Sequence, residues 1–385
     1  MNSQFSRRMA KATALTRAGR LHEATALIQA LLHPGQALNV PPMAAAGAVI
    51  DGEYTLLAPD KPEKATARPK PGPLAETVRK IRAGGMPPKS AKTGVGWQMP
   101  QGAQFLALTH SSDHGSRSYR LYVPAKPTQG PGPLIVMLHG CTQTPEDFAA
   151  GTGMNRIAEE FGFLIAYPAQ PSGANMQKCW NWYRPEDQAR GRGEPALIAG
   201  LTREILRDYP VDPAQVYVAG LSAGGAAAVV VAAAYPDIFS AVGVHSGLPA
   251  GGAHDIPSAF SAMRSGTRSK PHQSVVPTIV FHGLADTTVH PENGAAVLAQ
   301  AVSAMPDLRV AERTGTSAGG RLFRTTAHLD AEGRSHAELW EIEGAGHAWA
   351  GGDPAGSHTD ATGPDASRHM MRFFRQHKSP KKAKG

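Results

Sequence analysis

One serine in this chain of 385 residues sits where serine chemistry is expected. Val216-Tyr-Val-Ala-Gly-Leu-Ser-Ala-Gly-Gly225 reads as an apolar strand, a Gly-x-Ser-x-Gly turn and the start of an Ala/Val-rich helix. A serine in such a turn takes a strained backbone, so Gly220 and Gly224 fall where a Cβ would meet the neighbouring strand or helix. The Ser222 hydroxyl is then raised above a sheet and stands at a helix N-terminus, where negative charge is tolerated as an acyl intermediate forms. The alternative is an ordinary glycine-rich turn whose serine caps the helix.

A serine hydroxyl is a weak nucleophile: it needs a base within hydrogen-bond reach, and the base needs an orienting carboxylate. After a strand-turn-helix nucleophile the chain order is serine, acid, histidine. Downstream, Pro277-Thr-Ile-Val-Phe-His-Gly283 reads as a buried strand running into Leu284-Ala285-Asp286, which puts a carboxylate at a strand's carboxyl end. Later, Leu339-Trp-Glu-Ile-Glu-Gly-Ala-Gly-His-Ala-Trp349 presents His347 on a Gly-rich loop after another strand. Ser222 is therefore the candidate nucleophile, His347 the candidate base and then acid, and Asp286 the candidate orienter. Among 16 histidines the rivals are His245 and His282, which read as core residues inside apolar strands, and His290, which is near Asp286. Asp255 and Asp353 are the rival acids.

The tetrahedral oxyanion of acyl transfer needs two main-chain N–H donors, one after the nucleophile and one from a loop after an early strand. Ala223 supplies the first. The apolar run 134–138 leads into His139-Gly-Cys-Thr-Gln143, whose turn can aim the Cys141 N–H at the same point; Cys141 would act through its main chain and not its thiol. Trp180, Trp182 and Tyr183 cluster in a loop and Trp349 follows the candidate histidine. Some of these are core anchors, and Trp182 and Trp349 are the candidates to face substrate.

Elements that could position these residues appear after Gln101, where apolar runs alternate with helical stretches, the signature of an α/β domain with a mostly parallel sheet. Strands are expected at 105–109, 119–123, 134–138, 164–167, 216–219, 241–245, 278–282 and 338–342, and helices at 155–161, 195–208, 225–235, 294–305 and 365–377. Residues 1–33 read as a helical hairpin broken at Gly19, 34–100 as a Pro/Lys-rich linker, 101–378 as the catalytic domain and 379–385 as a basic tail. The hairpin packs on the main body or docks on a partner, hydrophobic surface or granule.

Net charge is +8, but its distribution matters more: 14 Lys/Arg face 6 Asp/Glu in 1–94 and 6 face none in 372–385, while 19 face 25 between them. A mildly acidic body argues against nucleic acid at the main site. No apolar run approaches the ~20 residues of a membrane span. No phosphate-cradling glycine motif is found. Two cysteines, Cys141 and Cys179, lack zinc-site spacing and are too few for a disulfide scaffold. No secretory signal opens the chain, so it reads as cytoplasmic from the residues alone.

Five motifs in this order, His139-Gly-Cys-Thr-Gln143, Cys179-Trp-Asn-Trp-Tyr183, Gly220-Leu-Ser-Ala-Gly224, Phe281-His-Gly-Leu-Ala-Asp286 and Gly346-His-Ala-Trp349, resemble the polyhydroxybutyrate (PHB) depolymerase family of esterases, related to feruloyl and acetyl-xylan esterases. The resemblance covers roughly residues 104–375. It implies an α/β-hydrolase fold with helices on both faces of the sheet, no metal or cofactor, and hydrolysis of short-chain poly(3-hydroxyalkanoate) or related esters. Feruloyl or acetyl-xylan ester hydrolysis is the alternative, and a non-catalytic granule-binding protein a remoter one. Many members act outside the cell, which the missing signal does not match. The resemblance also implies a Cys141–Cys179 bridge, with two reduced thiols as the alternative.

Overall fold

The computed structural model describes residues 97–267, 276–305 and 307–379. The hairpin expected over 1–33, nearly all of the linker and the tail beyond Ser379 lie outside the described residues. A hairpin of β1 (Gln104–Ser112) and β2 (Gly115–Val123) opens the sheet, followed by β3 (Gly132–Leu138), β4 (Leu164–Pro168), β5 (Val211–Leu221), β6 (Ala241–His245), β7 (Thr278–Gly283), β8 (Arg309–Thr316), β9 (Leu322–Leu329) and β10 (Ser335–Ile342). Their spatial order is β1-β2-β4-β3-β5-β6-β7-β10-β9-β8. The six strands from β4 to β10 in that order pair parallel; β1, β2, β9 and β8 add antiparallel margins. A two-residue ribbon of β11 (Trp349–Ala350) and β12 (Thr359–Asp360) lies apart.

The helices are α1 (Pro145–Thr152), α2 (Met154–Phe161), α3 (Gly193–Asp208), α4 (Ala223–Ala234), α5 (Ile256–Ser265), α6 (Glu292–Val302) and α7 (Ala366–Phe374). Successive strand residues point to opposite faces. Leu134, Val136, Leu138, Val216 and Val218 thus pack with Ile198, Leu201 and Val297 of α3 and α6, and with the Ala/Val face of α4. Ile135, Met137, Tyr217 and Ala219 pack on the other side with Phe148, Ile157 and Phe374 of α1, α2 and α7. Parallel strands covered on both faces have to be apolar throughout, and β3 is buried at all seven positions. The α/β reading therefore holds, with helices on both faces.

Two strands of the large sheet, the short β11–β12 ribbon and two helices were not expected. β8 carries mainly exposed residues such as Arg309, Glu312 and Arg313, and β9 mixes exposed Arg324 with half-buried positions and buried Phe323 and Thr325, so no continuous apolar run announces them. α1 begins at Thr144, whose hydroxyl accepts the Asp147 N–H, and α5 at Asp255, which forms a capping box with Ser258. Among the described residues no helix is long and apolar enough to cross a membrane.

Candidate active site

In a parallel sheet the strands' carboxyl ends share one edge, and here β3, β5, β6, β7 and β10 bring the ends of five segments to it. Ser222 follows β5 directly, with φ 58° and ψ −122°, a left-handed conformation that is costly for a residue with a Cβ. The turn is locked from three sides. The Ser222 N–H donates to His245 O at 2.8 Å, its carbonyl accepts the Ala226 N–H at 2.9 Å, and a Cβ on Gly224 would fall inside contact distance of the Leu138 and His139 carbonyls. The Ser222 side chain makes no capping hydrogen bond to α4.

Asp286 lies in the turn after β7. Its Oδ1 accepts the N–H groups of Thr288 and Val289, both at 2.9 Å, and its Oδ2 lies 2.7 Å from His347 Nδ1. Burial pushes this carboxyl up, but the hydrogen bond to His347 and that ring's charge, with the Val289 N–H, hold it below its ordinary value. The two loops are stitched together by their main chains: Leu284 N–H donates to Ile342 O and Ala285 N–H to Ala345 O, each at 2.9 Å. The structure thus brings Asp286 and His347 together and sets Ser222 on the same edge. His282 Nε2 donates to Val289 O at 2.8 Å and stands 3.6 Å from Asp286 Oδ2, a support behind the pair. Asp255 caps α5 and Asp353 pairs with Arg156 at 2.7 Å.

Ala223 and Cys141 both border the cleft that contains Ser222. The other turn amides are engaged, Thr142 N–H with Gln177 O at 2.7 Å and Gln143 N–H with Gly140 O at 3.3 Å. The Gln143 side chain braces this turn, accepting the Gly140 N–H at 2.9 Å and donating to Asp147 Oδ2 at 2.9 Å. Cys141 and Cys179 are joined in a disulfide across 38 positions of sequence, a loop closure that stabilises by about 4 kcal/mol.

The cleft measures about 300 Å³ and, among the described residues, no charged side chain lines it. Trp182 and Tyr183 line it, as do Ile256, Phe260 and Met263 of α5. The α5 lining escaped the sequence reading, although Asp255-Ile-Pro-Ser258 followed by apolar residues at i, i+4 and i+7 was a usable signal. Trp182 borders the cleft, but Trp349 corrects the expectation that it faces substrate. It is buried, donates its indole N–H to Ser367 Oγ at 3.1 Å and stacks on His245 with ring centroids 5.2 Å apart. A residue consumed by core contacts on both faces has no surface left for a ligand.

Two buried rings near the site are neutral. Burial pushes His245 down to about 3, and its Nε2 accepts the Ala350 N–H at 2.9 Å. Burial also pushes His139 down to about 4, and its Nε2 accepts the Gln170 N–H at 3.1 Å. In the unfolded chain both would titrate at their ordinary value, so the folded state binds fewer protons below it and stability falls as pH falls. Each ring is expected to cost about 2 kcal/mol by pH 4.5, relative to pH 7.5. Burial raises the carboxyls of Asp187 and Glu194, which act in the opposite sense. Urea midpoints measured across that range should fall, and His245→Phe should flatten the fall; a midpoint that rose towards pH 4.5 would contradict this.

A family profile described as Esterase PHB depolymerase matches residues 117–322. The poly(3-hydroxyalkanoate) depolymerase C of Paucimonas lemoignei is 33% identical over 264 residues, 63% of this chain and 61% of that protein. Feruloyl esterase B of Neurospora crassa is 32% identical over 197 residues, 44% and 64%. The poly(3-hydroxybutyrate) depolymerase of Ralstonia pickettii is 28% identical over 284 residues, 68% and 56%. The chain thus spans 56–64% of the length of these relatives. Among solved structures, an acetyl xylan esterase from Aspergillus awamori is 22% identical with a TM-score of 0.56, covering 71% of this chain and 99% of that one, a likeness of fold.

Proposed function

Because the chain belongs to the PHB depolymerase family of esterases and has an α/β-hydrolase fold, we propose that it hydrolyses carboxylic esters through Ser222, His347 and Asp286, with short-chain poly(3-hydroxyalkanoate) as substrate. The observation that carries this reading is the 2.7 Å contact between Asp286 Oδ2 and His347 Nδ1 at the sheet edge where Ser222 occupies its strained turn. A carboxylate at Nδ1 keeps the proton there and leaves Nε2 free to accept one.

Ser222 Oγ attacks the ester carbonyl while His347 Nε2 takes its proton. The carbonyl oxygen becomes an oxyanion, met by the Ala223 and Cys141 amides at the positive end of α4. Collapse breaks the bond to the alcohol, which leaves with the proton from His347. Water, deprotonated by the same ring, then opens the acyl-enzyme and frees the carboxylic acid.

The cleft supports an uncharged, weakly polar substrate. Among the described residues no ionised group lines it, and its α5 bank leaves Ile256 and Phe260 55% and 62% exposed. A polyester of hydroxyacid units offers ester carbonyls and methyl groups to such walls and demands no charge partner. The likeness to feruloyl esterase B favours a second reading, a feruloyl or acetyl ester on a polysaccharide.

Products released from amorphous poly(3-hydroxybutyrate) and from feruloylated, acetylated xylan, with Ser222→Ala as blank, test both. Serine-dependent 3-hydroxybutyrate or its oligomers are expected. Ferulate or acetate alone would move the substrate to polysaccharide esters. No serine-dependent product from either polymer or from a soluble butyrate ester would overturn the reaction class.

A further inference from the structure

Segment 179–183, which carries Trp182, forms neither helix nor strand, so side chains have to hold its shape. A buried carboxylate does much of that. Glu194, in the first turn of α3, accepts the Asn181 N–H on Oε2 at 2.8 Å. Its Oε1 accepts from Asn181 Nδ2 at 2.9 Å and from Gln170 Nε2 at 2.5 Å. Gln170 carries the connection onward in two directions. Its side chain donates to Cys179 O at 2.9 Å, and its main-chain N–H donates to His139 Nε2 at 3.1 Å. Trp180 closes the circuit by donating its indole N–H to His139 O at 3.0 Å.

The circuit therefore reaches both sides of the Cys141–Cys179 bridge: Cys179 directly, and Cys141 through the turn that begins at His139. Arg117, itself 5% exposed, lies 3.8 Å from Glu194 Oε1 and 5.8 Å above the Trp180 ring. Asp187 accepts the Glu194 N–H at 2.8 Å, which sets a second buried carboxyl group beside the first. Nothing in a stable core demands this: buried ionic groups are costly, and apolar side chains of similar size often stabilise equally well or better.

We propose that Glu194 is a positioning residue for the ester hydrolysis, holding the Cys141 amide at the oxyanion through Gln170, His139 and the Cys179 segment. This rests on the serine-esterase reading above. An amide displaced by a fraction of an ångström still lets substrate bind, but it meets the tetrahedral oxyanion poorly, so turnover and not ground-state binding carries the loss.

Glu194→Gln puts an amide N–H₂ against the donors of Asn181 or Gln170, and Asn181→Ala removes one arm while keeping its main-chain N–H. In the full chain, with p-nitrophenyl butyrate as substrate and a butylboronic acid as the tetrahedral mimic, Glu194→Gln is expected to lower kcat by about 10- to 100-fold. KM should stay within about threefold and the boronate inhibition constant should rise in step with the kcat loss; Asn181→Ala should fall between on the same proportionality. A folded Glu194→Gln protein with kcat within about twofold of the parent, or with lowered kcat and unchanged boronate affinity, overturns the proposal. If Glu194→Gln does not fold, Asn181→Ala decides by the same ratio. A parent protein without Ser222-dependent hydrolysis would instead sink the esterase reading itself.

Discussion

Ser222→Ala is expected to lower turnover of a soluble ester by about six orders of magnitude while leaving the fold unchanged. In the proposed mechanism the hydroxyl is the one side-chain group that forms a bond to the acyl carbon, and the residual rate is that of binding and oxyanion stabilisation alone. The backbone at this position makes a second, opposite effect visible. At φ 58° any residue with a Cβ is strained, so alanine keeps the strain and glycine relieves it. Ser222→Gly should therefore be as inactive as Ser222→Ala yet unfold at a higher temperature, by about 1 kcal/mol in stability. Initial rates with active-site titration, alongside thermal melts of the three proteins, separate the effects. Near-parental hydrolysis by Ser222→Ala would remove the nucleophile from Ser222.

Asp286→Asn is expected to lower kcat by about four orders of magnitude with little change in KM or fold. The reason is a forced orientation. Oδ1 of Asp286 faces two main-chain donors, Thr288 and Val289, and Oδ2 faces His347 Nδ1. An asparagine has to turn its oxygen to the two donors, because its N–H₂ would clash with them. The N–H₂ then points at His347 Nδ1, which becomes an acceptor, and the ring proton moves to Nε2. A ring protonated at Nε2 cannot take the Ser222 proton. The combined Ser222→Ala, Asp286→Asn protein should be no slower than Ser222→Ala alone, since both changes disable one unit. A rate within tenfold of the parent for Asp286→Asn would show that Asp286 does not set the tautomer.

What could be read from the residues followed from how strongly local chemistry constrains them. The turn around Ser222 was legible because Gly220 and Gly224 have no room for a Cβ, a demand that leaves a fixed pattern in the chain. The central strands were legible because both their faces are covered, which forces continuous apolar runs. β8 and β9 have no such requirement: they sit at the antiparallel margin of the sheet, and most of their side chains are exposed or half-buried, with Phe323 and Thr325 buried. Trp349 and Trp182 look equivalent in sequence, both aromatic and both beside a motif. Only the tertiary positions of Ser367 and His245 decide that one is core and the other borders the cleft. Glu194 left no signal at all, because a carboxylate at a helix start is ordinary and its partners, Asn181 and Gln170, are distant in sequence or separated by loops.

The buried neutral rings of His139 and His245 also bear on how long the protein can work at one spot. Every ester bond cut liberates one carboxylic acid, which ionises fully at neutral pH and gives its proton to the surroundings. On a solid particle, where products leave slowly and buffer is thin, the film of water around the enzyme acidifies in proportion to the bonds already broken. That drift runs into the range where these two rings draw stability out of the fold. On the proposed polyester, degradation would then brake itself: the faster a patch is eroded, the sooner the catalyst on it loosens, and the pace over time would be set by how quickly acid diffuses away.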